Sequence, residues 1–89
     1  MNQKVIIESL AMDLKRVALG LHRGSRIMAK RFKQEALKRE SELEQHKLNI
    51  HLKKLLANSK KTLKSNDERT AEDALMYSVL LQNYVRVRL

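Results

Sequence analysis

Side chains able to do chemistry near neutral pH are scarce in this chain. Its three histidines are His22, His46 and His51, the residue type that most readily exchanges a proton or takes a metal in that range. His46 and His51 stand five apart, which puts them on different sides of a helix and makes them a poor metal pair. Glu42 and His46 are one turn apart, but the Glu-x-x-His spacing of a di-iron centre is missing. The expected state of His46 is a surface imidazole beside Lys47. Glu40 and Glu44 form a carboxylate pair one turn apart, a separation that acid–base work could use, yet nothing in the sequence suggests a pocket around them.

Gly20-Leu21-His22-Arg23-Gly24 places two glycines four apart beside a histidine and an arginine. It is not a phosphate loop, since no strand precedes it and no Gly-Lys-Ser/Thr follows. The two glycines beside His22 and Arg23 could admit a close-packed helix or a phosphate, and close helix packing is the expected role. The chain has no cysteine, which removes disulfides, thiolate metal sites and thiol nucleophiles together and fits a reducing compartment. With 89 residues there is little room for a concave substrate site. The expectation is a protein that is not an enzyme, with no catalytic residue, no metal or other cofactor and no small-molecule substrate.

The chemistry that remains is charge. Nineteen Lys and Arg stand against ten Asp and Glu, a net charge of +9, which concentrates anions around so small a chain and speeds encounter with them. From Lys15 to Arg39 there are nine bases and a single acid, Glu35. On a helical wheel Arg23, Arg26, Lys30, Arg31, Lys33 and Lys38 gather on one side, opposite Met28, Phe32, Ala36 and Leu43. Lys15 and Arg16 precede them, and Lys53, Lys54, Lys60, Lys61 and Lys64 make a second cluster with no acid between 45 and 66. Ordinary solvated helix faces interleave Glu and Lys one turn apart; a run of one sign points to anion binding. Such a stripe can track phosphates, which positions a protein without reading bases. The candidate nucleic-acid-binding residues are Lys15, Arg16, Arg23, Arg26, Lys30, Arg31, Lys33, Lys38, Lys53, Lys54, Lys60 and Lys61. Single-strand binders stack bases on aromatics, but Phe32, Tyr77 and Tyr84 all fall on apolar helix faces and read as core. No zinc-finger, RRM or KH signature is present, and residues 67–87 are too apolar for a recognition helix.

The elements that carry these charges read as helices throughout. Proline is absent and Gly20 and Gly24 are the only glycines, so turn chemistry is sparse. Leu10, Leu14, Val17, Leu21, Met28, Phe32, Ala36 and Leu43 keep one phase at 3.6 residues per turn across both glycines. The spacing predicts one long helix over about 3–44, roughly 60 Å at 1.5 Å per residue. The alternative is a helix end at Gly24 with Ser25 capping a new one. Leu48, Leu52, Leu55, Leu56 and Leu63 form a stripe half a turn out of that phase, which implies a break near 44–48, and Ser41 with Glu44 could cap there. A second helix is expected over 47–64. Ser65 and Glu68 read as a capping box that places a tight turn at 65–66. A third helix over 67–87 then packs back as an antiparallel hairpin. Ala74, Tyr77, Leu81, Tyr84 and Val85 share one face of it, while Leu75, Met76, Val79 and Leu80 widen the apolar zone beyond one partner.

The predicted architecture is all-α: a long N-terminal helix plus an antiparallel helical hairpin, three-helix-bundle-like, without β-sheet, forming one domain over 1–89. No apolar run approaches the ~20 residues that span a bilayer, the N-terminus lacks a signal-peptide layout, and a cytoplasmic location is expected. The expected function is a nucleic-acid-binding or nucleoprotein-assembly subunit, for DNA or RNA. The alternative is a protein-interaction adaptor or regulator, acting as a homo-oligomer or with a protein partner through Leu10, Leu14, Val17, Leu21, Met28, Phe32, Leu75 and Val79. Membrane attachment ranks last, because the amphipathic face lacks Trp and is rich in Ala.

Overall fold

The chain reverses direction where glycine, asparagine and a Ser-Asn-Asp run interrupt the apolar periodicity. A computed structural model describes residues 2–89, which form four helices: α1 (Gln3–His22), α2 (Arg26–Glu44), α3 (Ile50–Lys64) and α4 (Thr70–Arg88), with no strand among the described residues. Asn2 caps α1, its side-chain oxygen accepting the Val5 N–H at 2.9 Å.

The continuous helix expected over 3–44 is broken at Gly24, and the three-helix arrangement becomes a four-helix one. Gly24 has φ +72°, a left-handed conformation that only glycine adopts cheaply. The Ser25 N–H donates to Gly20 O at 2.8 Å and the Gly24 N–H to Leu21 O at 3.2 Å, the paired bonds of a Schellman end. Ser25 Oγ then accepts the Met28 N–H at 3.2 Å and caps α2. The apolar phase survives this reversal because α1 and α2 each turn a face to the same core. Phase continuity across a three-residue turn is coincidence, not evidence for a rod. The turn also brings α2 hard against the end of α1: a Cβ on Gly20 would lie 2.8 Å from Ala29 N.

The break near 44–48 is present as residues 45–49, but Ser41 and Glu44 do not form its cap. Both lie within α2. Asn49 performs the capping, its Oδ1 accepting the Leu52 N–H at 2.9 Å while its amide donates to Tyr84 Oη at 2.7 Å. At the last turn, the tight reversal expected at 65–66 with Ser65 as N-cap is corrected to a loop over 65–69. Ser65 closes α3, donating to Thr62 O at 3.0 Å. Asp67 and Thr70 bind each other's neighbourhood instead: the Asp67 N–H donates to Thr70 Oγ1 at 3.1 Å and the Arg69 N–H to Asp67 Oδ1 at 2.9 Å. Glu72 and Asp73 then occupy the first turn of α4, where the helix dipole favours acids.

Each helix packs on two others. α1 lies against α2 and α4, and α3 completes the ring between them, so α1 faces α3 and α2 faces α4 only across diagonals. Ile7, Leu10, Leu14 and Val17 of α1, Ala36 and Leu43 of α2, Leu52 and Leu63 of α3 and Ala74 and Leu81 of α4 fill the centre. Small residues close the α1–α4 seam, where Ser78 Oγ donates to Ala11 O at 2.7 Å. The molecule extends 35 × 20 × 19 Å. Among the described residues no helix is long and apolar enough to cross a membrane.

Candidate nucleic-acid interface

Breaking the N-terminal helix redistributes the basic residues. Arg26, Lys30, Arg31, Lys33 and Lys38 stay together on α2. The reversal at residues 45–49 lays α3 beside α2, so Lys53, Lys54, Lys60 and Lys61 join them on the same side of the bundle, with Lys64 added. Lys15 and Arg16 are left behind on α1. Arg23 sits exposed in the turn that precedes α2. Helices α2 and α3 together carry eleven bases and four acids, whereas α1 and α4 carry five bases and four acids.

Most of these bases have no acidic partner. Among the described residues the ion pairs are Arg16–Asp13 at 3.5 Å, Arg39–Glu42 at 3.0 Å and Lys60–Glu44 at 2.9 Å. Arg23, Arg26, Lys30, Arg31, Lys38, Lys53, Lys54 and Lys61 are exposed and take part in none of them. Lys33 is half-buried and is used structurally, its Nζ donating to Ser65 O at 3.3 Å and to Asn66 Oδ1 at 3.0 Å. It ties the start of α2 to the loop before α4. Lys60 is held charged by its contact with Glu44, which raises its pKa.

Arg16 and Arg31 both place their guanidinium groups over the Phe32 ring, at 5.3 and 5.6 Å from its centroid, within cation–π range. Phe32 is thereby covered, and it packs on the core beneath. Arg16 is also drawn to Asp13, a buried carboxyl whose pKa is raised by burial and pulled back down by Arg16 and Arg39. The geometry therefore leaves Lys15 exposed on α1, while Arg16 is engaged at the α1–α2 seam, where it shares the Phe32 ring with Arg31.

The α2–α3 seam is the most open of the four. A groove of about 500 Å³ runs along it, floored by Leu48, Leu56 and Ala57, rimmed by Lys53, Lys60, Lys61 and Lys64, and reached by Glu40, Glu44 and His46. The sequence offered no pocket around Glu40 and Glu44; the structure puts both in this groove. Glu40 is 2% exposed and sits 2.5 Å from Ser59 Oγ. Burial pushes its pKa up to about 7, against the opposing pull of the Ser59 hydroxyl and of Lys60. The Glu40–Ser59 pair was not legible in the sequence, because it joins residues on two helices whose relative rotation depends on the turn between them. A charged residue inside the apolar period of α2, between Ala36 and Leu43, is the only signal that marks it.

The predicted interface residues divide. Leu10, Leu14 and Val17 are fully buried within this chain, so a second molecule does not meet them. Leu21 and Phe32 are partly buried against the same core, and Met28 packs beside Gly20. Leu75 and Val79 remain 42% and 47% exposed. Among the described residues no group of three or more His, Asp and Glu side chains gathers that could hold a metal ion. No family model, curated protein or solved structure matches the chain.

Proposed function

We propose that this chain is a non-catalytic nucleic-acid-binding or nucleoprotein-assembly subunit that contacts phosphates through the α2–α3 face. One observation carries the reading: eleven of the nineteen bases lie on two adjacent helices with only four acids, and most of those bases are exposed and unpaired. Surface cations usually interleave with anions; a face that does not is repelled by itself and gains by meeting a polyanion. Contact with the backbone, not the bases, is favoured because Phe32 is covered by two arginines and Tyr84 is buried, leaving no aromatic platform on this face for stacking.

Fluorescence anisotropy with labelled duplex DNA, duplex RNA and single strands over a salt series tests it. Binding is expected at low salt, with log K falling linearly in log salt by about 0.9 per phosphate neutralised on duplex DNA. Absence of binding to all of them at ~50 mM salt, where such contacts are strong, defeats the proposal.

A second reading rests on the opposite side of the bundle. Among the described residues, large apolar side chains left exposed fall mostly on α1 and α4, as Val5, Met12, Leu19, Leu75, Met76, Val79, Leu80 and Val87; Ile27 and Ile50 are the counterparts on α2 and α3. A helix that stays apolar on its solvent side is suited to a protein partner. On this reading the chain is an interaction adaptor or regulator, and the charge serves that contact.

A further inference from the structure

We infer that the outward face of α4 is a self-association surface that pairs two copies of this chain with their α4 helices antiparallel. The inference rests on the second reading above and names its partner.

The buried side of α4 is the line Thr70, Ala74, Ser78, Leu81, Tyr84 and Val85. The opposite side follows a separate 4-3-4-3 spacing, Glu72, Met76, Val79, Asn83, Arg86, which is the seam spacing of paired helices. Its middle is apolar: Leu75, Met76, Val79 and Leu80 are 40–47% exposed, and they span little more than one turn and a half. Its ends are charged and opposite, with Glu72 in the first turn and Arg86 in the last.

That charge order selects the partner and its direction. A parallel copy would set acid on acid and base on base. An antiparallel copy centred near Val79 brings Glu72 opposite Arg86 of the partner subunit, and twofold symmetry makes the contact twice. It also opposes the two helix dipoles. Val5, Met12 and Leu19, spaced at seven residues along the outward side of α1, are further exposed apolar groups on a helix that packs against α4. α2 lies diagonally across the bundle from α4, so the dimer presents the bases of its two α2 helices pointing apart. If the polyanion reading holds, one dimer bridges two nucleic-acid segments.

Sedimentation equilibrium of the full chain from micromolar to millimolar concentration is expected to show a reversible dimer. Val79→Glu, at an exposed position, is expected to weaken it about tenfold or more while the helical circular dichroism is retained. The chain lacks cysteine, so Glu72→Cys and Arg86→Cys can be introduced one per chain. Under mild oxidation a mixture of the two variants is expected to cross-link, and neither variant alone. Cross-linking of Glu72→Cys to itself, or a monomeric mass at every concentration, overturns the inference; the monomer result would reserve the face for a different molecule. None of these measurements contains nucleic acid, so a failed dimer leaves the polyanion reading standing, and lost polyanion binding leaves the dimer standing.

Discussion

The α1–α4 side and the α2–α3 side of this bundle are built from opposite materials. The α1–α4 seam is closed by small residues, with Ser78 lying against the Ala11 carbonyl, and its outer surface keeps Leu75, Met76, Val79 and Leu80 in partial contact with water. The α2–α3 seam is held by polar links, Glu40–Ser59 and Glu44–Lys60, over an open groove. Its outer surface carries most of the exposed, unpaired bases of the molecule. Tight packing of small residues brings the two helices close and fixes their rotation. A wider seam keeps cationic side chains apart from one another and lets them reach outward. The same four helices thus separate a surface for shape from a surface for charge.

The largest expected effect comes from erasing the charge side. Replacing Arg26, Lys30, Lys53 and Lys61 together with glutamine should lower nucleic-acid affinity about 10²–10³-fold at low salt and flatten the log–log salt slope by about 3–4, read by anisotropy. Lys15→Gln, on α1, is the internal control and should shift affinity less than about twofold, by the loss of long-range attraction alone. A loss from Lys15→Gln as large as one quarter of the fourfold variant's, in log K, would mean that net charge, and not the α2–α3 face, does the binding.

Next in size is the buried carboxyl at the α2–α3 seam. Glu40 has a folded pKa of about 7 against 4.5 when free. Between those values the folded chain holds a proton that the unfolded chain has lost, so stability falls as pH rises from about 4.5 to about 7 and levels off above. Glu40→Gln, which keeps the shape and a donor for Ser59, should remove most of that fall. Urea denaturation should find it more stable than the native chain by about 2–3 kcal/mol at pH 8 and nearly equal at pH 4. Asp13, also raised by burial, leaves a residual slope of the same sign. A variant that is destabilised at pH 8 would show that Glu40 is ionised and satisfied in the seam.

The smallest effect belongs to the closed seam. Ser78→Ala removes the buried hydroxyl that donates to Ala11 O, and should cost about 1 kcal/mol, the same at pH 5 and pH 8. Pairing this result with that of Glu40 isolates the contrast between the seams: one titrates and the other does not.

Composition and periodicity were enough to read an all-helical chain, because the scarcity of glycine and proline and the 3.6-residue recurrence of Leu, Val and Ile depend only on local geometry. The apolar excess on α4 was legible for the same reason, and so was the identity of the basic residues. The end of α1 was legible as the second choice: Gly24-Ser25 is a stop followed by a cap, and it was outweighed by a phase that two separate helices happen to share. The cap of α3 by Asn49 and the Asp67–Thr70 turn were missed because Ser41, Glu44, Ser65 and Glu68 offer equally good local patterns, and packing chose among them.

What this sequence determined alone is therefore how much charge and apolar surface each helix carries, a property of residue types at fixed spacing. What only the tertiary structure decided is which of them face the same way. Helix-to-helix rotation is set by close contacts such as Gly20 on Ala29 and Ser78 on Ala11, which act between residues far apart in the chain. Those contacts brought the lysines of α3 beside the bases of α2, left Lys15 on α1, and enclosed Glu40 where burial raises its pKa.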